Sequence, residues 1–239
     1  MINAKQTVGE IAVRQPSTIE VLEQLGVEYC CHGEQTLEET CRYLGLPVEG
    51  VLSELNRTIE TNPAESAPWA DSILEALIGH LLRIRKTLIH DSLPRIQDLA
   101  SSVGSCCQHE QPNAIEVVRL AETLVHGITT HLLEEEHTLF PTIREIELAY
   151  VGEGFGTPRP DSVRSAVARM VQEHDEIGHM LSTIEVLTAG HNTTATDCDT
   201  YQQLCEKLTD LDRELRLEVH LENNVLFNRA LRISEALYG

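Results

Sequence analysis

Two residues that could bind one metal ion together stand four positions apart in the segment HLLEEEHTLFP. On a helix, His131 and Glu135 would lie on the same face, one turn apart, where an imidazole and a carboxylate can share an ion. Steps of three and four residues from His131 otherwise reach apolar side chains, namely Leu124, Ile128, Leu139 and Ile143. An unpaired buried carboxylate is costly, whereas a metal-bound one keeps its charge. The pattern therefore favours a buried metal site.

Two later segments add candidate ligands to the same interior. His174 is the single ionisable residue in an apolar seam, and Glu218 and Glu222 lie one turn apart on an otherwise apolar stripe. A lone histidine in such a seam is more often an ordinary core residue, but buried glutamates are rare unless they are paired. Convergence from three segments favours metal binding. His220 falls on a polar face and is expected outside.

The first long segment carries a lysine where the pattern would place a ligand. Lys86 continues the seam formed by Ile78, Leu82, Ile89, Leu93 and Ile96. A protonated lysine donates hydrogen bonds and cannot bind a metal ion. Two interpretations stay open: a buried ion pair with Glu218, or a catalytic role for Lys86 beside an open coordination position, as a proton donor or a neutral amine.

The seven cysteines include two adjacent pairs and no CxxC spacing. Cys30 and Cys31 precede the helix start predicted at Thr36, where a thiolate is favoured, so we expect functional redox thiols. The alternative is a pair of small buried hydrophobic residues. The pair Cys106 and Cys107 is a weaker candidate for an exposed redox-sensitive site. Reduced thiols are expected throughout, because the count is odd and adjacent cysteines make poor structural disulfides.

Composition predicts an all-α protein. Aromatic residues make up 4% of the 239 residues, and long stretches rich in Leu, Glu, Ile and Ala lack Gly and Pro. We expect residues 1–60 to form a small helical domain that carries Cys30 and Cys31, the polar segment 61–69 to be a linker, and 70–239 to hold four long helices. These helices, at about 70–102, 113–150, 161–189 and 197–237, predict an up-and-down four-helix bundle.

Charge limits the classes of partner. The 38 acidic residues exceed the 18 basic ones and give a net charge of -20, which repels nucleic acid and anionic membranes. No apolar run approaches the roughly 20 residues that span a bilayer, and no signal-peptide pattern opens the chain. We expect a cytoplasmic protein with no nucleic-acid or membrane partner.

With these residues identified, the chain resembles the Repair of Iron Centres family, proteins associated with mending iron-sulfur clusters after nitrosative and oxidative stress. The resemblance rests on residues 29–37 (YCCHGEQTL), where His32 replaces the usual Gly, and on the hemerythrin-like motifs at 131–141, 173–176 (EHDE) and 221–227 (LENNVLF). It covers nearly the whole chain.

The resemblance implies a di-iron site of four histidines and two bridging glutamates inside a hemerythrin-like bundle. His131, Glu135, His174 and Glu222 match that site, whereas Lys86 and Glu218 stand where the family has its other two histidines. Two iron ions are expected, with a single iron or an iron–manganese pair as alternatives, because added carboxylates favour harder ions.

The function that the resemblance implies is iron donation to damaged clusters or reaction with nitric oxide. Its partners would be proteins with damaged iron-sulfur clusters and small gases (nitric oxide, oxygen), and the chain could form a homodimer. Three alternatives remain: a hemerythrin-like protein that binds or senses oxygen or nitric oxide, a di-metal oxidase that uses Lys86, and a metal-free bundle held by Lys86 and Glu218.

Overall fold

A computed structural model describes residues 1–62, 69–106, 113–154, 159–189 and 198–238. The chain divides into two compact units. The first unit comprises Met1–Leu77, Ile146–Pro160 and Arg216–Gly239, and the second comprises Ile78–Glu145 and Asp161–Leu215.

Four short helices begin the chain: α1 (Val8–Arg14), α2 (Ile19–Gln24), α3 (Leu37–Leu44) and α4 (Val48–Thr61). Their starts follow the local sequence. Thr7 caps α1 by accepting a hydrogen bond from the Glu10 N–H, and Thr36 with Glu39 forms a capping box at α3. The helix start predicted at Thr36 is confirmed.

Apolar faces of these short helices form the core of the first unit. Among the fully buried side chains are Val8, Leu22, Leu37, Cys41 and Leu55, and Val219 from the C-terminal part of the chain belongs to the same cluster. The N-terminal helices therefore share one core with a residue far along the sequence.

Long helical stretches follow, and most are built from more than one helix. They are α5 (Leu74–Thr87) with α6 (Leu93–Cys106), α7 (Ala114–Glu134) with α8 (Phe140–Tyr150), α9 (Pro160–Ala189), and α10 (Asp199–Leu221) with α11 (Asn228–Ala236). The predicted bounds of the four long segments are confirmed to within a few residues.

Short π-helical segments join the paired helices: Leu88–Ser92, Glu135–Leu139 and Glu222–Phe227. A π-helical turn holds an extra residue, so it shifts which side chains face inward on either side of it, and such turns are often found at functional sites. Two of the segments begin at a predicted ligand, Glu135 or Glu222. Sequence periodicity alone did not predict these turns.

The core of the second unit is a continuous apolar cluster drawn from α6, α7, α9 and α10, with Leu88 from the first π-helical segment. Its fully buried members include Ile96, Leu124, Ile128, Tyr201 and Leu204. His131 follows Ile128 by three residues, so the predicted seam enters this core directly.

The predicted fold class is confirmed: the described residues are mostly helical, and their only β-type pairing is an isolated bridge between Thr7 and Thr36. The boundaries at 60 and 70 stay a prediction, and residues 63–68 of the predicted linker lie outside the described residues. No helix in the described ranges is long and apolar enough to cross a bilayer.

One expectation about the cysteines is wrong. Cys198 is disulfide-bonded, whereas Cys30, Cys31, Cys41 and Cys205 are free. An odd cysteine count does not exclude a single bridge, and composition cannot reveal which thiols lie close together. The side chains of the pair at 106 and 107 fall outside the described part of the chain.

Candidate metal centre

Three side chains from α7, its π-helical extension and α9 converge in the second unit. His131, Glu135 and His174 are 5%, 0% and 2% exposed, and each offers a ligand atom within 4.8 Å of the others'. Nε2 of His131 lies 3.0 Å from Nε2 of His174 and 3.4 Å from Oε2 of Glu135. These atoms are of the kinds that bind iron, zinc and manganese.

The spacing of the two imidazoles fits a shared ion. Two nitrogens that each lie about 2.1 Å from one metal ion, at a right angle, are about 3.0 Å apart. The distance between the Nε2 atoms of His131 and His174 matches this value. The residues present therefore suit at least one metal ion.

A carboxylate on α9 orients the first histidine. Nδ1 of His131 lies 2.7 Å from Oε2 of Glu173, which leaves Nε2 directed toward His174. Glu173 is itself held by Arg169, whose Nη1 lies 3.2 Å from Oε1. A metal-bound histidine usually donates its other ring N–H to such a carboxylate, which fixes the ring and strengthens the ligand.

A buried arginine stands beside the cluster. Arg85 is 2% exposed, its guanidinium donates a hydrogen bond to Oε2 of Glu135, and its Cζ lies 4.7 Å from the centre of the Phe140 ring. A permanent cation thus lies in contact with a candidate ligand.

The prediction that Lys86 faces the interior is therefore wrong. Lys86 is exposed, and Arg85 takes the inward position. The cause is the π-helical segment Leu88–Ser92, whose extra residue shifts the register when one counts back from Leu93. An exposed lysine cannot form a buried ion pair with Glu218 or donate a proton inside the bundle. A different seam, Leu74, Leu77, Leu81, Arg85 and Leu88, would have identified the arginine.

Glu218 and Glu222 are buried in the first unit, with 4% and 1% of their surface exposed. Glu222 offers a buried carboxylate oxygen as a ligand atom and begins the π-helical segment Glu222–Phe227. Coordination by either residue stays a prediction.

The expectation that His220 lies outside is wrong: it is 2% exposed. Its ring packs edge-on against Tyr29 at 5.2 Å, and its Nδ1 lies 3.1 Å from Nδ2 of Asn224. Burial lowers the pKa of His220 to about 4. The polar face predicted on this helix is covered by the N-terminal segment, which helical periodicity could not indicate.

The cysteine loop forms a second cluster in the first unit, with Glu28. Ligand atoms of Glu28, Cys30 and Cys31 lie within 4.8 Å of one another. The Cys30 thiol contacts Oε1 of Glu28 at 2.7 Å, and its sulfur lies 3.9 Å from that of Cys31. The hydrogen bond with Cys31, burial and the Glu28 charge raise the pKa of Cys30. At Cys30 these nearer groups favour the thiol, so the expected thiolate is not favoured at this residue.

Side chains of α10 and the following π-helical segment fix this loop. Nδ2 of Asn224 donates to the backbone carbonyls of Tyr29 and Cys30, at 3.0 Å and 3.2 Å. Asn223 donates to the Cys30 carbonyl, also at 3.2 Å, and Arg216 pairs with Oε2 of Glu28 at 3.1 Å. The LENN motif thus contains a candidate metal ligand, Glu222, and the two asparagines that hold the cysteine loop.

Glycine permits this close approach. A Cβ atom at Gly9 or Gly33 would lie 2.3 Å or 2.2 Å from Oδ1 of Asn224, far inside contact distance. The role of the two asparagines was not predicted, although they follow Glu222 directly in the sequence. Glu28 was likewise missed, although it lies only two residues before Cys30.

Comparison with known proteins identifies two domain families along the chain. Residues 87–230 match the hemerythrin HHE cation-binding domain, and residues 4–59 match ScdA_N, a domain of unknown function.

Curated relatives match nearly the whole chain. A protein of Dickeya chrysanthemi, named iron-sulfur cluster repair protein YtfE, is 28% identical over 95% of this chain and 97% of its own length. Proteins of the same name from Pectobacterium carotovorum and Yersinia pseudotuberculosis are 25% and 26% identical, with the same shares covered.

Proposed function

Because this chain belongs to the hemerythrin HHE cation-binding family, we propose that it is a non-haem iron protein that donates iron to damaged iron-sulfur clusters. The observation that carries the proposal is the buried pair His131 and His174, whose Nε2 atoms are 3.0 Å apart beside Glu135. The relatives named as iron-sulfur cluster repair proteins, similar to this chain from end to end, support the assignment of repair.

We assign Glu222 as the next ligand from the register of its helix. Leu211 and Leu215 belong to the core of the second unit, and Glu218 and Glu222 continue their face at helical spacing. The burial of both glutamates supports the assignment. Two histidines and two or three carboxylates form a donor set that suits ferrous iron, with manganese as the competing ion.

Arg85 favours one resident metal ion over the two that the sequence resemblance implies. Its guanidinium contacts Glu135 inside the core, and a second divalent ion close to that carboxylate would face a permanent positive charge. The arginine supplies the charge balance that a second ion would otherwise supply.

Each of these residues has a distinct role in the proposed site. His131 and His174 would hold the ion, Glu173 fixes the ring of His131, and Arg85 holds the Glu135 side chain in place. Bound ferrous iron would supply a redox-active centre with open positions for a small ligand such as nitric oxide or oxygen. A damaged cluster would then receive the iron as cargo, with an iron-sulfur protein as the partner.

Two measurements test the proposal. Protein purified without oxygen is first analysed for metal, and about one iron ion per chain is expected. The loaded protein is then mixed with an iron-sulfur enzyme whose cluster nitric oxide has damaged, and we expect enzyme activity to return faster than with the same amount of free ferrous iron.

Matched variants identify the site. His174→Ala should lose both the iron and the recovery, whereas His179→Ala, which changes an exposed histidine on the same helix, should keep both. Recovery no faster than with free iron would refute iron donation. If nitric oxide or oxygen then bound reversibly to the retained iron, gas binding would be the better assignment.

A further inference from the structure

We propose that Glu28, Cys30 and Cys31 form a second metal site, which takes a single divalent ion such as ferrous iron or zinc through two sulfurs and one carboxylate oxygen. The three ligand atoms lie within 4.8 Å of one another in the first unit. The proposal rests on this loop alone and does not depend on the cluster around His131.

The sulfur spacing supports a shared ion. Two thiolates bound at about 2.3 Å to one tetrahedral ion lie about 3.8 Å apart. The sulfurs of Cys30 and Cys31 are 3.9 Å apart. Adjacent side chains in an extended chain point in opposite directions, so this closeness requires a bent backbone.

Specific hydrogen bonds make that bend. Oε1 of Glu28 accepts from the backbone N–H groups of Cys30 and Cys31, at 3.0 Å and 3.3 Å. Asn223 and Asn224 hold the Cys30 carbonyl from the other side. The ligand set is therefore positioned before any ion arrives, which reduces the cost of binding.

Charge also balances at this site. On binding, each thiol releases its proton to solvent, so two thiolates and Glu28 carry three negative charges. A divalent ion supplies two positive charges, and Arg216, which pairs with Oε2 of Glu28 at 3.1 Å, supplies the third. A neutral assembly suits this setting, because Cys30 is 4% exposed.

Three protein ligands leave one tetrahedral position open. A closed site of four protein ligands is typical of a structural ion, whereas an open position permits exchange with a ligand from outside. Cys31 is half-buried and gives a second molecule a route to the ion. The site thus suits an ion that is held and then passed on.

Cobalt titration of the full chain without oxygen tests the proposal, because cobalt bound to thiolate has a charge-transfer band that cobalt bound to histidine and carboxylate lacks. We expect the band to saturate when a single cobalt ion occupies the cysteine loop and to disappear on addition of zinc, whereas ferrous iron should displace cobalt only in large excess. His174→Ala should leave the band unchanged, so failure of the bundle site would not affect this result.

Variants of the loop complete the test. Cys31→Ser should abolish the band, Arg216→Gln should weaken cobalt affinity about tenfold as the loss of an outer partner does, and Cys41→Ala, a free cysteine of the same small core, should change neither. Circular dichroism checks that each variant folds. Absence of the band in the unmodified protein, or its survival in folded Cys31→Ser, would overturn the proposal.

Discussion

The guanidinium of Arg85 donates a hydrogen bond to Oε2 of Glu135, and both side chains are almost fully buried. A charged pair inside a helical core is costly to form, but losing one partner is costlier, because the other charge is left behind. This contact places a fixed cation beside a predicted metal ligand, and it has consequences for stability and for metal content.

Replacing Arg85 by methionine tests the consequence for stability. Arg85→Met keeps much of the side-chain volume but removes the charge, so we expect the metal-free protein to lose about 3 kcal/mol of unfolding free energy in urea. Lys86→Met changes an exposed neighbour and should alter the unfolding free energy by less than about 0.5 kcal/mol. Equal losses in the two variants would show that the buried pair does not stabilise the fold.

An arginine-to-histidine change tests the count of metal ions. Arg85→His removes the fixed cation and supplies an imidazole at the inward position of this helix. If the arginine takes the place of a second ion, the metal content measured by elemental analysis should rise from about one metal ion per chain to about two. An unchanged count would mean that some other feature limits the site to one.

Glu173 should act through His131 without touching the metal. Its Oε2 lies 2.7 Å from Nδ1 of His131, and the loss of such an outer partner typically weakens metal affinity by about 10- to 100-fold. We expect this range for Glu173→Gln in a competition assay with a metal chelator. Glu176→Gln, the same change on an exposed site of the same helix, serves as the control and should bind as the unmodified protein does.

Sequence patterns predicted the helical fold and the inward side chains well, because apolar spacing reports directly on burial in a regular helix. They failed at Lys86, where a π-helical segment shifts the register of the helix. No particular residue type indicates the extra residue in such a turn, so the sequence does not predict it. They failed also at His220, which the N-terminal segment covers. Contacts between distant parts of a chain are outside the reach of local periodicity.

Asn224 should be the main polar link between the cysteine loop and the C-terminal part of the first unit. Asn224→Asp keeps the shape but removes the donors to the Tyr29 and Cys30 carbonyls, and it adds a negative charge close to them. We expect about 1–3 kcal/mol of lost unfolding free energy, the cost of leaving such groups unsatisfied. Asn228→Asp makes the same change at an exposed position four residues on. A similar loss there would show that the added charge, and not the lost link, is responsible.

The reactivity of each free cysteine toward an alkylating reagent should depend on how deeply its thiol is buried. Burial raises the pKa of Cys41 and of Cys205, so at neutral pH both should hold their protons more firmly than an ordinary thiol and stay unmodified in the native protein. Cys31 is half-buried, so we expect iodoacetamide to label it first. The thiolate is the reactive form, so the raised pKa values of Cys41 and Cys205 should keep both protected at a pH where an ordinary thiol reacts. Mass spectrometry of the digested protein measures each site, and urea-unfolded protein, in which all these thiols are accessible, is the control. Equal labelling of Cys41 and Cys31 in the native protein would show that the small core around Cys41 opens readily.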